Sequence, residues 1–209
     1  MDTIEKLTEI FKEFPGIGER QAKRFVYFLM ARNPDYSTNL SNLIKELKKD
    51  TFQCSECFKF FTVGAKNLPA QAGEKLCEIC RDKNLDESIL MIVEKDSDLE
   101  SIHKSRVYNG KYFILGGLVP IVEKNTNSRI RLNELVKKIQ NSRDLKEIIL
   151  AFSLSPQGNH TDFYIRNQLN SLVEPLNIKI SSLGRGLSTG TELEYSDNDT
   201  LKNAFKNRQ

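Results

Sequence analysis

The sequence has no long uninterrupted apolar segment anywhere in its 209 residues. None of its apolar stretches approaches the roughly 20 residues that a membrane-spanning helix requires. The amino-terminal stretch, MDTIEKLTEIFKEF, carries charges throughout and lacks the continuous apolar core of a secretory signal peptide. These absences argue against a membrane protein and a secreted protein. We therefore expect a cytoplasmic protein with no membrane partner.

Cysteine is also scarce, and its placement is informative. The four cysteines form two C-x-x-C pairs with none left over: Cys54, Cys57, Cys77 and Cys80. Two such pairs supply the four thiolate ligands of a tetrahedral zinc site. The rival interpretations are two disulfides, which a reducing cytoplasm disfavours, and a redox dithiol, which would need only one pair. We expect one structural zinc ion per chain, in a closed site that performs no chemistry.

The chain as a whole lacks a large excess of charge, because its net charge is only +3. The charges are nevertheless distributed unevenly. Residues 51–100 carry 6 basic and 10 acidic side chains, whereas residues 101–150 carry 10 basic and 4 acidic ones. This imbalance fits a protein with one surface that faces a polyanion, although a solvated charged face would look the same. The basic block contains one candidate polyanion surface: Arg129, Arg131, Lys137 and Lys138.

Apolar residues at helical spacing predict two helices, at residues 2–13 and 19–31, on either side of the sequence PGIG. Gly16 and Gly18 would permit a sharp turn and let a phosphate approach the free amides that begin the second helix. Three cations follow at once: Arg20, Lys23 and Arg24. Such a device would hold a nucleic acid by its backbone, independently of base sequence and sensitively to salt. A helical hairpin whose cations are merely solvated is the alternative interpretation.

The sequence pattern changes several times along the rest of the chain, which indicates several small domains. A third helical pattern, at residues 40–50, follows turn signals at Asn33, Pro34 and Asp35. From Ser88 onward, strand-like and helix-like segments alternate, which predicts an α/β domain with a largely parallel sheet. The last stretch is polar and rich in turn residues before a short final helix. The predicted fold is therefore α/β and multidomain, with a helical domain at 1–53, a zinc module at 54–86, an α/β domain at 87–183 and a carboxyl-terminal arm at 184–209.

Acidic residues follow the first predicted strand of the α/β domain, SILMIVE. Glu94 ends this strand, and Asp96 and Asp98 lie just beyond it. Ligands of parallel α/β sheets bind beyond the carboxyl ends of the strands, where carboxylates could hold magnesium for phosphoryl chemistry. A polar strand exit with solvated acids would produce the same sequence pattern.

These features also resemble known families. The stretch FPGIGERQAKRF is similar to the helix-hairpin-helix element of DNA repair proteins, and the strand that ends in Glu94 resembles the start of a Toprim domain. Taken in order and at this length, the four parts resemble the RecR family. Two further stretches, GKYFILGGLVPI and RGLSTGTELEYSDNDTLKNAFKNR, carry this resemblance through Gly110, Tyr112, Leu115, Gly116, Gly117, Pro120, Arg185, Gly186, Leu187, Gly190, Leu193, Glu194, Tyr195, Asp197, Thr200 and Leu201.

The chain departs from the family pattern at several positions. Gln157 and Asn159 stand where the family usually has two glutamates, and Phe113 replaces a usual histidine. The loop between the cysteine pairs, which includes GAKNLPAQAGEK, is longer than usual. Because hard divalent cations prefer ionised oxygens, the two amides should weaken any magnesium site near Glu94. The two histidines, His103 and His160, lie in helix-like surroundings, and we interpret them as surface or packing residues.

The resemblance implies a non-enzymatic recombination mediator that assembles as a tetrameric ring or a dimer in the bacterial cytoplasm, at the nucleoid. It would clamp gapped or branched DNA and work with RecO and RecF to load RecA. The residues expected to bind DNA are Gly16, Gly18, Arg20, Lys23 and Arg24. Glu94, Asp98 and the carboxyl-terminal arm are candidates for partner and assembly surfaces. Two alternatives remain, a magnesium-dependent Toprim enzyme that processes DNA and a zinc-stabilised module that binds another polyanion or a protein.

Overall fold

The computed structural model describes residues 1–62, 75–122, 130–187, 189–190 and 192–208. The helices are α1 (Thr3–Lys12), α2 (Glu19–Met30), α3 (Pro34–Asp50), α4 (Glu78–Arg81), α5 (Asp96–Ser105), α6 (Leu132–Asn141), α7 (Pro156–Val173) and α8 (Asn198–Lys206). The strands are β1 (Thr51–Gln53), β2 (Phe60–Thr62), β3 (Asp86–Val93), β4 (Gly110–Ile114), β5 (Glu147–Ala151) and β6 (Lys179–Ser182). The chain divides into two compact units, of which the first is Met1–Thr51 with Thr62 and the second contains the other described residues.

The amino-terminal unit contains the two helices expected on either side of PGIG. Helix α1 begins with a capping box, in which Asp2 accepts from the Glu5 amide and the Glu5 side chain accepts from the Asp2 amide. Helices α1 and α2 pack together through an edge-to-face contact of Phe11 with Phe25, whose ring centroids lie 5.7 Å apart. This packing buries Val26 of α2, so the hairpin has a small apolar core of its own.

Helix α3 begins earlier than the sequence pattern predicted. Asn33 is its N-cap and accepts a hydrogen bond from the Tyr36 amide at 2.9 Å, and Pro34 occupies the first helical position. Proline is favoured there because its missing N–H would have no partner in any case. The apparent turn signals are therefore the start signal of the helix. Within the described part of the chain no residue of α3 is buried, and its apolar face remains exposed.

The second unit is built on a parallel sheet with the strand order β4-β3-β5-β6, as the alternating pattern predicted. Successive side chains of a strand point to opposite faces, so each strand contributes to two cores. Ile92 of β3 packs in the core that α6 and α7 cover, whereas Val93 packs with Leu99 of α5 and the cysteine residues. Because the strands are parallel, their carboxyl ends lie at one edge of the sheet. The acidic residues that follow β3 begin at this edge.

Smaller elements precede and follow this sheet in the sequence. Strands β1 and β2 form a two-stranded sheet on either side of the first cysteine pair, and in the second pair Cys77 is the N-cap of the short helix α4, which contains Cys80. The predicted loop GAKNLPAQAGEK lies almost wholly outside the described residues. At the other end of the chain, α8 confirms the expected short final helix. Among the described helices, none has the length and apolar character needed to cross a membrane.

Candidate metal centre and nucleic-acid surface

The four cysteines converge on one point, as their spacing predicted. Their sulfur atoms all lie within 4.8 Å of one another, and the Sγ atoms of Cys57 and Cys77 are 3.6 Å apart. Cys54, Cys57 and Cys77 are buried, and the amide of Cys77 donates to the Sγ atom of Cys54 at 3.4 Å. Four soft sulfur ligands in a tight buried cluster suit a tetrahedral metal ion and leave no position for a substrate. The four cysteines therefore form a cluster suited to binding a metal ion.

The thiols of this cluster do not ionise independently. Hydrogen bonding from Cys57 holds the pKa of the Cys54 thiol far below its usual range, and the same pair raises the pKa of Cys57. The first thiolate therefore forms easily, whereas further thiolates would repel it inside a buried site. A bound cation removes this conflict because it stabilises all four thiolates together.

The cysteine cluster is tied to the edge of the parallel sheet through Phe58. This residue has the left-handed backbone conformation, with φ at 65°. Its ring packs edge-to-face on Phe113 of β4, with 5.3 Å between centroids, and the Arg131 guanidinium lies 5.2 Å from the centre of the same ring. Arg131 also donates from Nη1 to the carbonyl oxygen of Ile114 at 3.1 Å. The metal-binding module and the α/β domain thus share side-chain and backbone contacts.

The glycine turn before α2 has the geometry that phosphate contact would require. Gly16 has a φ of +76°, a conformation that favours glycine, and Gly18 is the N-cap of α2 with an extended backbone. In the part of the chain that the structure describes, no side chain hydrogen-bonds to the amides at this cap. A methyl group placed on either glycine would meet nothing within 4 Å among the described residues. The first amides of α2 are therefore accessible to a ligand from outside.

The three cations of the predicted DNA site are all exposed on α2. Lys23 pairs with Glu19 at 2.7 Å, and this hydrogen bond raises the pKa of Lys23 and lowers the pKa of Glu19. Arg24 donates to the Oε1 atom of Gln21 at 3.3 Å. An exposed pair of this kind contributes little to stability, so both cations can exchange these partners for a phosphate at small cost. Their assignment to DNA remains a prediction.

The acidic residues after β3 do not form a three-carboxylate cluster. Among the described residues, only the cysteines form a group of three or more side chains that could hold a metal ion. Asp96 instead accepts a hydrogen bond from the Phe60 amide at 2.7 Å. Asp96 and Asp98 are two positions apart in the first turn of α5, and such positions face in different directions on a helix. Glu94 and Asp98 therefore remain candidate residues for partner contact.

The two amides that replace the family glutamates lie in the first turn of α7. Ser155 caps this helix and accepts from the Gly158 amide at 3.1 Å. Asn159 accepts a hydrogen bond from Nη2 of Arg185 at 2.9 Å. Asn159, which stands where the family usually has a glutamate, therefore connects the α/β domain to Arg185, the first residue of the carboxyl-terminal signature.

Comparisons with known proteins agree with these features. A Toprim domain model matches residues 88–183, and a model described as RecR, C-terminal, matches residues 186–209. The recombination protein RecR of Dehalococcoides mccartyi is 34% identical over 206 residues, which are 99% of this chain and 93% of that protein. The protein of the same name from Lacticaseibacillus casei is 30% identical over 99% of this chain and 96% of its own length. The chain belongs to the RecR family.

Membership of the RecR family confirms the Toprim domain and the carboxyl-terminal element that the resemblance implied. The matched carboxyl-terminal element includes Asp197 and Thr200. Asp197 caps α8, accepting from the Thr200 amide at 2.9 Å and from the Thr200 hydroxyl at 2.7 Å. The spacing Asp-x-x-Thr before a helix is a capping pattern that sequence reasoning could have found but did not.

The basic block offers fewer free cations than its sequence suggested. Arg131 is half-buried against Phe58, and Lys138 is paired with Glu56. Lys137 is exposed, and Arg129 lies outside the described residues. Arg131 is thus a structural residue of this RecR-family fold, a role that its position in a charged stretch did not indicate.

Proposed function

We propose that this chain is a non-enzymatic DNA-binding mediator of recombinational repair. Its relatives carry the name recombination protein, and the glycine turn with the first turns of α2 supplies a surface suited to DNA phosphates. The observation that carries the proposal is the open N-terminus of α2, where Gly18 leaves the first amides free beside Arg20, Lys23 and Arg24. In this proposal the protein clamps gapped DNA and assists the loading of RecA together with RecO and RecF.

The chemistry of this contact is electrostatic and does not depend on base sequence. The amides at a helix N-terminus carry partial positive charge and point toward an anion that approaches along the axis. Gly16 and Gly18 present no side chain that would keep a phosphate at a distance. Lys23 and Arg24 then add charge about one turn into the helix. Each phosphate neutralised in this way releases counterions, so affinity should fall steeply as salt is added.

We further propose that the chain works as a homo-oligomer, either a dimer or a tetrameric ring. An apolar groove of about 700 Å³ lies in the amino-terminal unit, and its lining includes Leu7, Phe11, Leu29, Leu40 and Ile44. The carboxyl-terminal arm exposes further large apolar side chains: Leu193, Tyr195 and Phe205. Exposed apolar surface of this extent marks interaction sites in soluble proteins, and copies of the same chain are occupants that a ring would provide.

The two other predicted sites receive supporting roles in this proposal. One zinc ion per chain would hold the cysteine module in its folded form without taking part in chemistry. Glu94 and Asp98, both half-buried at the carboxyl edge of the sheet, would contact a partner protein such as RecO or RecF. Neither residue needs a metal ion for that purpose.

The experiment that tests the DNA proposal combines gapped DNA with charge-reversal variants. End-labelled gapped duplex is mixed with the reduced, zinc-containing protein and magnesium, and one half is run on a native gel and the other on a denaturing gel. The test variant is Lys23→Glu with Arg24→Glu. The matched control is Lys48→Glu with Lys49→Glu, an exposed lysine pair at the end of α3 in the same unit.

We expect a salt-sensitive shift of intact strands for the parent and the control, and a weaker shift with a shallower salt dependence for the test variant. Equal binding by the two variants would move the DNA surface elsewhere and contradict the proposal. Magnesium-dependent cutting that Glu94→Ala abolishes would instead assign a Toprim-type enzyme activity.

A further inference from the structure

The exposed face of α2 changes its chemical character halfway along the helix. Five exposed residues, spaced at i, i+3, i+4, i+7 and i+8, share this face: Arg20, Lys23, Arg24, Tyr27 and Phe28. The buried residues Ala22 and Val26 lie on the opposite face, toward α1. The amino-terminal half of the exposed face is therefore cationic and its carboxyl-terminal half is aromatic. Exposed aromatic rings beside cations are unusual on the solvent side of an amphipathic helix.

The aromatic half extends beyond the end of α2. Tyr27 is 57% exposed, Phe28 is 44% exposed, and Tyr36 at the start of α3 is 42% exposed. The rings of Phe28 and Tyr36 meet edge-to-face at 6.0 Å, and the Arg32 guanidinium lies 4.3 Å from the centre of Phe28. Within the described ranges, Tyr27 packs against no other aromatic ring and no guanidinium or ammonium group. More than half of the Tyr27 surface is thus accessible.

We propose that this face of α2 binds single-stranded DNA, with the cations along the backbone and Tyr27 stacked on an unpaired base. Phe28, Tyr36 and Arg32 would support a second base next to it. This inference rests on the proposed DNA-binding function and names the part of a gapped substrate that the hairpin holds. Proteins that bind single strands without sequence preference combine the same two features, a positive track and aromatic stacking surfaces.

Charge and geometry both favour a single strand over a duplex as the occupant. Four cations lie on or beside this face of α2, namely Arg20, Lys23, Arg24 and Arg32, against two acids, Glu19 and Asp35, and the remaining positive charge suits a polyanion. The rise of a helix places Tyr27 about 10 Å beyond Arg20, so phosphate contact and stacking occur at separate points. In a duplex the faces of the bases are already stacked on one another and cannot reach a surface ring. Tyr27 therefore adds affinity only where bases are unpaired.

The experiment compares three DNA ligands with a conservative pair of variants. The ligands are an oligothymidine, an abasic strand of equal length, and a duplex, each labelled and titrated at one fixed salt concentration. The variants are Tyr27→Leu, which removes the ring, and Tyr27→Phe, which keeps it. The control is Phe163→Leu, which removes an exposed ring from α7 in the other unit.

We expect Tyr27→Leu to bind oligothymidine at least about fivefold more weakly, because one base–aromatic stack is lost. Binding of the abasic strand and the duplex should stay within twofold of the parent, as should all binding by Tyr27→Phe and Phe163→Leu. Equal losses on oligothymidine and on the abasic strand would overturn the inference, while a continued salt-sensitive interaction with duplex would leave the proposed function standing. Failure of the parent to bind any of the three ligands would overturn both.

A second copy of the chain is the competing occupant of the aromatic face. Sedimentation velocity of the parent and of Tyr27→Leu, without DNA, separates the two cases. An unchanged oligomeric state supports the stacking role, whereas dissociation of the oligomer by Tyr27→Leu assigns the ring to an interface between copies and overturns it.

Discussion

The backbone amide of Ile114 donates a hydrogen bond to the carbonyl oxygen of Cys57, with 2.9 Å between nitrogen and oxygen. Ile114 ends the edge strand β4, and Cys57 closes the first cysteine pair. The cysteine module therefore covers one end of the sheet edge, where an unpaired amide would otherwise meet solvent or remain buried without a partner. The state of the metal site and the order of this edge are linked by that contact.

Removing the metal should loosen the edge of the sheet before it loosens the centre. In reduced protein treated with a zinc chelator, the amides of residues 110–116 should exchange with solvent faster, because Cys57 no longer holds its position. The amides of β5, an interior strand of the sheet, should keep most of their protection. Hydrogen exchange followed by mass spectrometry of peptides from both strands measures the difference. Equal acceleration in both strands would contradict this local coupling, and freshly purified reduced protein without about one zinc per chain would contradict the metal assignment.

Glycine should be a better replacement than alanine for Phe58. Both substitutions remove the ring contacts with Phe113 and Arg131 and should destabilise the protein. Because φ is 65° at this position, alanine retains the left-handed strain, whereas glycine relieves it. The free energy of unfolding of Phe58→Gly should therefore exceed that of Phe58→Ala by about 1 kcal/mol. Urea unfolding of the zinc-loaded variants tests this order.

The same pair of substitutions at Phe163, in the helix α7, should give the opposite order. There glycine costs about 1 kcal/mol more than alanine, because it increases the conformational entropy of the unfolded chain. Matching orders at the two positions would show that backbone strain does not matter at Phe58.

Local and short-range features of this fold were predictable from the sequence. The cysteine spacing predicted one cluster because two C-x-x-C turns bring thiols to a common point, and the alternation after Ser88 predicted the parallel sheet. The start of α3 was misplaced because Asn33 and Pro34 serve equally well in turns and at helix N-termini. Deciding between these roles requires knowing whether the following residues continue as a helix.

Contacts between distant residues were not predictable in the same way. The sequence showed that Asn159 replaces a glutamate that is usual in the family. It did not show the hydrogen bond between Asn159 and Arg185, because these residues are 26 positions apart in the chain. Arg131 looked like part of a polyanion surface, and only the fold brings it onto Phe58. The sequence alone does not distinguish a charged residue that faces solvent from one that contacts a nucleic acid or an aromatic ring.

Acid should weaken the cap of α8. Hydrogen bonds from the Thr200 side chain and backbone lower the pKa of Asp197 below its ordinary value of 3.8. Its contribution to helix stability is therefore present above the unfolded pKa and is lost as the pH falls through the lower folded pKa. Titration of the Asp197 carboxyl carbon by NMR should show this low pKa. In Asp197→Ser, which caps the helix without a charge at this position, the acid-dependent change in the chemical shift of the Thr200 amide should be smaller than in the parent.

A carboxylate at Gly18 should uncouple the stability of the hairpin from its affinity for DNA. Gly18 is the N-cap of α2 with φ at −85°, and a methyl group there would meet no atom of the described residues within 4 Å. In Gly18→Asp the new carboxylate would accept from the free amides and interact favourably with the helix dipole, so the free energy of unfolding should stay equal or rise by about 0.5 kcal/mol. The same carboxylate would occupy the phosphate position and repel DNA.

Duplex binding measured from low to moderate salt should show a lower affinity for Gly18→Asp and a salt slope smaller in magnitude by about 1, the loss of one phosphate contact. Gly18→Asn is the matched control, because it caps the same amides without a charge and should fall between the parent and Gly18→Asp in affinity. A Gly18→Asp variant that folds normally and binds duplex as tightly as the parent would show that no phosphate contacts the N-terminus of α2, and the DNA surface would then have to be sought away from the glycine turn.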